Sequence, residues 1–358
     1  MAAPGSVGCM APSGHAMTRP CAADPAQARP RQAQAQALRN LAVRALLGEL
    51  RTYPKPGLVS LVDSGSHRDM DATTLVRSTL ALRRYFEDCA RVGACGAAFD
   101  TLKALGIAAE QRMLRATQGV NTHRGAIFHL GLLAAAAGHR AAQHAAAPAP
   151  SLGEIVRRLW GADIAAQRRP AALDGSRLAA LDDNRPAAID DSHPAAIHGS
   201  RPTAPDGNRP AAIDGASAAA TCGNGAAPSH GSRASARYGV GGAQAQAAAG
   251  FPSVYRVALP AYRAALARSA APNQARVQAF FALLGHLDDT NLLHRGGREG
   301  LAYARMQAAR FLADGGVFQP RWQRRATDLH LAFRQRWLSP GGSADLLAVC
   351  LFVHAAEG

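Results

Sequence analysis

The chain has 358 residues, enough for one large domain or two small ones, and its 48% hydrophobic content suffices for a substantial core. The formal net charge of +15 predicts an anionic partner (nucleic acid, a membrane surface or a polyphosphate metabolite), although an arginine-rich proteome would give the same charge without a functional reason. The six cysteines show no CxxC spacing, and no apolar run reaches the length of a membrane span or signal peptide, so we expect a soluble protein of the reducing cytoplasm.

The composition predicts helices, because Ala, Leu, Arg and Gln are abundant and aromatic residues make up only 5%. Helical periodicity begins near Leu38, and no segment alternates as a strand would. The predicted N-caps are Asp71, Ser151, Asn273 and Ser343. The predicted helices span about 38–50, 72–92, 102–119, 125–137, 155–159, 273–287, 299–313 and 322–337, with a last helix after residue 343. The sequence therefore predicts an all-α fold, a single multi-helix globular domain.

Two regions interrupt this helical pattern. Residues 1–39 are predicted to form a disordered tail, and residues 161–234 a disordered low-complexity insert. Within the insert, six copies of an octapeptide such as RPAALDGS run from Arg169 to Ala216. Each copy has too few apolar residues to offset the entropy of ordering it. The catalytic helical domain is therefore expected in two halves, at 40–160 and 235–358.

The first polar segment follows the earliest predicted helix. Lys55 stands between two prolines, whose rigid backbone would hold its charge in a fixed direction, as phosphate binding requires. Asp63, His67, Asp69 and Asp71 follow within a short loop, and closely spaced carboxylates suit Mg²⁺. The alternative is that Asp69 and Asp71 only cap the next helix and complement its dipole.

The second polar segment, 119–125, directly precedes a predicted helix. Backbone N–H groups at a helix N-terminus bind anions, and Arg124 could add a bidentate contact. Asn121 is explained equally well as a capping residue, whereas His123 and Arg124 exceed what capping needs.

The third polar segment, 288–297, is the strongest candidate for a site. The adjacent acids Asp288 and Asp289 would repel each other unless a cation or base offset their charge. Asn291, His294 and Arg295 follow them, a set that fits metal ligation or a general base paired with a cation. A solvated helix end would also account for the two acids.

Taken together and in this order, five segments resemble the triphosphoribosyl-dephospho-coenzyme A synthase family. They are TYPKPGLVSLVDSGSHRDMD (52–71), GVNTHRGAIFHLGLL (119–133), RYGVGGAQAQAAAGFPSV (237–254), LDDTNLLHRGG (287–297) and SPGGSADLLA (339–348). The segment from Gly57 to His67 looks most like the malonate decarboxylase branch of the family. The tail and the insert depart from the family pattern, and both fall outside the matched segments.

The resemblance implies an all-helical transferase whose substrates are ATP and 3′-dephospho-CoA. The ribose 2′-hydroxyl of dephospho-CoA would attack C1 of the ATP ribose, and adenine would leave while the triphosphate stays on the product. That product would be the precursor of a prosthetic group, which a separate phosphoribosyl-dephospho-CoA transferase attaches to an acyl carrier protein subunit.

The chemistry that the resemblance implies assigns roles to the polar residues as hypotheses. Cleavage of an N-glycosidic bond builds positive charge on the sugar, and an intact triphosphate requires Mg²⁺ and several cations. Metal binding or stabilisation of the sugar cation is assigned to Asp69, Asp71, Asp288 and Asp289. Substrate or phosphate binding is assigned to Lys55, Asn121, Arg124, Asn291 and Arg295. Proton transfer is assigned to His67, His123 or His294.

Two other functions are compatible with parts of the sequence. A basic helical nucleic-acid-binding protein would use a cationic face such as Arg321, Arg324, Arg325, Arg334 and Arg336. It would leave the acidic loop residues unexplained, so nucleic acid is not the favoured partner. A Mg²⁺-dependent hydrolase of N-ribosyl bonds would use the same loops with water as the acceptor.

Overall fold

The structure is a computed structural model that describes residues 25–143, 149–167 and 230–358. Within these ranges no residue forms a β-strand, so the predicted all-α fold is confirmed. The helices are α1 (Pro25–Leu50), α2 (Ala72–Ala81), α3 (Arg83–Ala94), α4 (Phe99–Ala116), α5 (Arg124–Ala142), α6 (Leu152–Ala166), α7 (His230–Tyr238), α8 (Gly242–Ala248), α9 (Leu259–Ala267), α10 (Pro272–His286), α11 (Thr290–Ala313), α12 (Trp322–Gln335) and α13 (Gly341–Glu357). No helix in the described ranges combines the length and apolar character needed to cross a membrane.

The helices extend further than the sequence predicted. Residues 25–39, assigned to the tail, belong to α1, where Ala35 and Leu38 are buried in the core. Residues 161–166 and 230–234, assigned to the insert, belong to α6 and α7. Residues 1–24 and the octapeptide repeat lie outside the described residues.

Two helix boundaries that matter for the site also differ from the prediction. The predicted helix over 72–92 is divided at Leu82 into α2 and α3. The predicted loop at 288–297 is helical from Thr290 onwards, with a kink where Gly297 adopts a positive φ of 61°. Asn291, His294 and Arg295 are therefore presented by the first turns of α11.

The predicted N-caps were half right. Asp71 accepts a hydrogen bond from the Thr74 N–H at the start of α2, and Ser151 caps α6. Asn273 caps nothing: it lies inside α10, and its side chain pairs with the backbone N–H and C=O of Tyr53, which anchors the loop after α1. Ser343 likewise lies inside α13, which begins two residues earlier.

The centre of the core is α5, whose residues from Leu130 to Ala136 are almost completely buried. It packs closely against α3 because small residues meet at the interface. A Cβ atom on Gly93 would lie 2.1 Å from the carbonyl oxygen of Ala135, so only glycine fits there. Helices on both sides of the insert, including α1, α3, α10 and α13, contribute to this one core. The packing fixes the N-terminus of α5 against the start of α13.

Candidate active site

A cavity of about 1760 Å³ lies where the N-termini of α5, α11 and α13 meet the C-terminal end of α1 and the loop that follows it. All three polar segments contribute to its wall, through residues such as His67, Asn121 and Asp288. The predicted site residues on the wall are His67, Asp69, Asn121, His123, Arg124, Asp288, Asn291, His294 and Arg295. The backbone N–H groups of a helix N-terminus favour anions, so three such ends around one cavity suit a phosphorylated substrate.

One part of the wall, which we call the histidine wall, consists of His67, Asp69, Arg295 and Ser339. His67 Nε2 lies 2.8 Å from Ser339 Oγ, while its Nδ1 lies 3.3 Å from Arg295 and 3.5 Å from Asp69 Oδ1. Burial, and then the Arg295 guanidinium, lower the pKa of His67 below its usual value. His67 is therefore neutral near pH 7 and available to accept a proton.

Arg295 is held in place by backbone groups of two different segments. Its guanidinium donates to the carbonyl oxygen of Ser66 at 2.7 Å and to that of Trp337 at 3.2 Å. These carbonyls fix the direction of a charged group that lines the cavity. Asn291, one turn earlier on α11, packs closely against Gly341. A Cβ atom added to Gly341 would lie 2.2 Å from Asn291 Nδ2.

The second polar segment surrounds His123. This ring is buried, and its Nδ1 lies 2.6 Å from Ser78 Oγ, which in turn accepts a hydrogen bond from Thr122 Oγ1 at 2.7 Å. Burial, and then the nearby Lys55 charge, lower the pKa of His123 to about 4, so the ring is neutral. Arg124 lines the cavity and forms an ion pair with Glu110 of α4.

Three predicted site residues are not brought to the cavity wall. Lys55 is fully buried beneath it and forms an ion pair with Glu49 of α1, and burial lowers its pKa. Asp71 is exposed and caps α2, which is the alternative that the sequence left open.

Asp289, the third of these residues, is buried behind the cavity wall. Its carboxylate accepts hydrogen bonds from the N–H groups of Asn291 and Leu292 and from both the N–H and the hydroxyl of Ser343. It thus caps α11 and joins that helix to α13. Burial raises its pKa.

Of the four predicted metal ligands, two have exposed carboxylates on the cavity wall: Asp69 and Asp288. Asp288 also pairs with Arg305 at 2.9 Å. Within the described residues, no group of three or more His, Cys, Asp or Glu side chains is arranged to hold a metal ion. Two carboxylates on the wall are a donor set of the kind that holds Mg²⁺ shared with phosphates, and the magnesium site stays a prediction.

Sequence reasoning gave no role to several polar residues of the cavity wall, among them Glu49, His129, Ser339 and Asp345. Asp345 and Ser339 lie in the segment 339–348, which was singled out only for its resemblance. Asp345 accepts a hydrogen bond from the Ala126 N–H at the start of α5. Burial and the nearby carboxylates of Glu49 and Asp289 raise its pKa well above the usual range, which favours the protonated carboxyl.

Comparisons with known proteins agree with this picture. The family model CitG, described as ATP:dephospho-CoA triphosphoribosyl transferase, matches residues 35–358. A protein of Acinetobacter calcoaceticus named "Probable 2-(5''-triphosphoribosyl)-3'-dephosphocoenzyme-A synthase" is 34% identical over 88% of this chain and 90% of its own length. The "2-(5''-triphosphoribosyl)-3'-dephosphocoenzyme-A synthase" of Escherichia fergusonii is 33% identical over 91% of this chain and 93% of its own length. No solved structure matches the chain.

The family model and these relatives define a helical enzyme of the transferase class. The chain belongs to the ATP:dephospho-CoA triphosphoribosyl transferase family, and the resemblance found in the sequence is confirmed. The alternative of a nucleic-acid-binding protein is not supported by this family. Of its proposed cationic face, Arg325 and Arg334 pair with Asp314 and Asp63.

Proposed function

We propose that this chain transfers the 5-triphosphoribosyl group of ATP to the ribose 2′-hydroxyl of 3′-dephospho-CoA and releases adenine. The observation that carries the proposal is the convergence of the three polar segments on one cavity, in a chain of this family. A cavity of about 1760 Å³ has room for more than one nucleotide-sized ligand, since typical pockets for a single small molecule measure roughly 300–1,000 Å³.

The triphosphate is bound by the N-termini of α5, α11 and α13 together with Arg124 and Arg295. The helix ends offer N–H groups, and the two guanidinium groups offer paired donors to phosphate oxygens. Mg²⁺, held by Asp69 and Asp288, would neutralise phosphate charge and orient the chain of phosphates. Lys55 acts from beneath the wall by keeping Glu49 paired.

His67 takes the proton of the attacking 2′-hydroxyl. Its lowered pKa keeps the ring neutral, and Asp69 on the Nδ1 side stabilises the imidazolium once the proton has been accepted. A general base of this kind contributes roughly 10²- to 10⁴-fold to a rate. His123 is less suited, because its ring is buried and bonded to Ser78.

The test is to incubate the purified protein with ATP and Mg²⁺, with and without dephospho-CoA, and to measure adenine by chromatography. Adenine release that requires dephospho-CoA, with a product heavier than dephospho-CoA by a triphosphoribosyl group, supports the transfer. Release without dephospho-CoA would instead indicate a hydrolase. No release under either condition would refute the proposal.

We further propose that the enzyme works in the cytoplasm and supplies malonate decarboxylase. The support is the sequence from Gly57 to His67, which looks most like the malonate decarboxylase branch. A phosphoribosyl-dephospho-CoA transferase would then attach the product to the acyl carrier protein subunit. The purified product, offered with the matching transferase to acyl carrier subunits of malonate decarboxylase and citrate lyase, should modify the former faster. The opposite preference would contradict this branch.

A further inference from the structure

His129, which lies on the cavity wall, has an unused hydrogen-bonding atom. The side chain is buried, with its residue 2% exposed, and its Nε2 lies 3.3 Å from the carbonyl oxygen of Ala243. Since a carbonyl only accepts, Nε2 carries the hydrogen. The ring is neutral because burial lowers its pKa to about 4, so Nδ1 is an acceptor. Among the described residues, Nδ1 has no hydrogen-bond partner.

Asp345 supplies the opposite kind of group beside it. A Cβ atom on Gly125 would lie 1.9 Å from Asp345 Oδ2, so the carboxyl occupies the space of a side chain at position 125 of α5. His129 is four residues further along the same helix, and residues at this spacing share a face with Cβ atoms roughly 5–6 Å apart. On this face of α5 the cavity wall therefore carries both a carboxyl, which donates when protonated, and an unpartnered imidazole nitrogen, which accepts.

This pair matches one edge of one purine. Adenine presents N7 as an acceptor next to its N6 amino donor, whereas guanine presents two acceptors, N7 and O6, at the same edge. Phe251 packs its ring edge-on against His129, with centroids 5.5 Å apart, and fixes the orientation of the imidazole. Gly125 leaves the carboxyl uncovered, because any larger residue would collide with it.

We propose that Asp345 and His129 form the adenine subsite of the cavity, in which Asp345 is the acid that protonates N7 of the leaving base and His129 Nδ1 accepts from its N6 amino group. This assignment rests on the proposed function. The bond between C1 of the ribose and N9 breaks, its electron pair passes to the base, and the Asp345 proton moves to N7. The 2′-oxygen of dephospho-CoA forms the new bond to C1 and gives its proton to His67. Exchange with water then returns His67 and Asp345 to their starting states.

The groups that face Asp345 explain how it keeps its proton. Glu49 from α1 and Asp289 from α11 bring negative charge, while the Ala126 N–H at the start of α5 partly offsets them. Lys55, the nearby buried cation, forms an ion pair with Glu49 and not with Asp345. After the proton has left, the Asp345 carboxylate lies between other acids, which favours its reprotonation before the next turnover.

The catalytic half of the proposal is tested with Asp345→Asn. An amide still donates a hydrogen bond to N7 but has no proton to transfer, so kcat should fall at least 100-fold while KM for ATP changes less than about threefold. Asp345→Glu should recover part of the rate. Asp88→Asn, at a partly buried acid that pairs with Arg91 and does not line the cavity, should behave as wild type. A kcat for Asp345→Asn above one third of wild type, with wild type active, would overturn the acid role and leave the proposed function standing.

The recognition half is tested by equilibrium binding, which needs no turnover. Wild type should bind ATP at least 10-fold more tightly than ITP, which has an oxygen in place of the amino group, or 7-deaza-ATP, which lacks N7. His129→Ala should remove the preference over ITP, His129→Asn should keep part of it, and His139→Ala, a distant histidine of α5, should keep all of it. Equal binding of the three nucleotides by wild type would refute the subsite, whether or not transfer is observed. Circular dichroism of each variant checks that it is folded.

Discussion

The two sides of the cavity are built in different ways. On the histidine wall, the polar groups come from loops and from the second turn of α11, where backbone carbonyls hold Arg295, and the site is partly exposed. On another part of the wall, which we call the acidic side, Glu49 and Asp345 project from helices, Asp289 lies buried behind them, and the three acids are compensated by the buried Lys55 and by helix N-termini. The partly exposed groups of the histidine wall can exchange protons readily. On the acidic side, the protonation states of the buried acids affect the stability of the fold as well as the proposed chemistry.

The largest effect is expected on the acidic side, from Lys55→Met. This change leaves Glu49 buried without its partner, and breaking a buried pair in this way costs about 3–5 kcal/mol of unfolding free energy. Urea unfolding followed by circular dichroism measures it. Removing the exposed pair with Arg91→Met should cost less than about 1 kcal/mol. A loss for Lys55→Met as small as that of Arg91→Met would show that the buried pair does not stabilise the acidic side.

On the histidine wall we expect loss of activity with little loss of stability. His67→Asn and Asp69→Asn should each lower kcat about 100-fold or more, because the first removes the base and the second removes the charge beside it. The thermal midpoint should stay close to wild type. Asp71→Asn, two residues from Asp69 but off the cavity, is the matched control and should keep its kcat. Comparable losses of kcat in all three variants would mean that the activity depends on the structure of the whole loop and not on the side chains that line the cavity.

A pH experiment separates the two sides further. His123 has a pKa of about 4 in the folded protein and about 6.5 when unfolded, so the unfolded state binds more protons between these values. Its contribution is complete above pH 6.5 and is lost as the pH falls towards 4, by about 3 kcal/mol. Urea unfolding at several pH values should therefore show a smaller loss between pH 6.5 and 4 for His123→Gln than for wild type. Parallel curves would exclude this linkage.

The smallest effect is expected for Asp71→Ala. The carboxylate caps α2 by accepting from the N–H and hydroxyl of Thr74, and the loss of such a cap costs about 1 kcal/mol. Catalysis should be unchanged, since Asp71 does not line the cavity. Thermal unfolding and adenine release are measured on the same preparation. A large loss of activity with an intact fold would show that Asp71 contributes to catalysis.

The histidine wall was largely predictable from the sequence, and the acidic side was not. His67, Asp69 and Arg295 lie in segments whose polar and glycine-rich composition departs from the helices around them, so local pattern reveals them. Asp345 lies in the second turn of an apolar helix, where a lone acid looks like a response to the helix dipole. Whether Lys55 meets a phosphate or a buried Glu49 depends on tertiary packing, which the local sequence does not contain.

The fold shows the same division between local and tertiary information. All-α architecture and the caps at Asp71 and Ser151 follow from composition and short motifs. The start of α1 was misplaced because residues 25–39 are rich in Gln and Ala with few large apolar side chains, so the periodicity that marks a packed helix is weak there. Ala35 and Leu38 are buried because other helices cover them. The kink at Gly297 was likewise not predictable from the local sequence and is seen only in the structure.

The position of Asp289 has a consequence for the geometry of binding. One carboxylate, through its two oxygens, is bonded to amides at the beginning of two separate helices, α11 and α13. The spacing between these two helix N-termini is therefore set by the dimensions of a single carboxylate and is established when the protein folds. If the proposed function is correct, a chain of phosphates that contacts both helix ends meets groups whose separation is already fixed, and little ordering of the protein is left for the moment of binding.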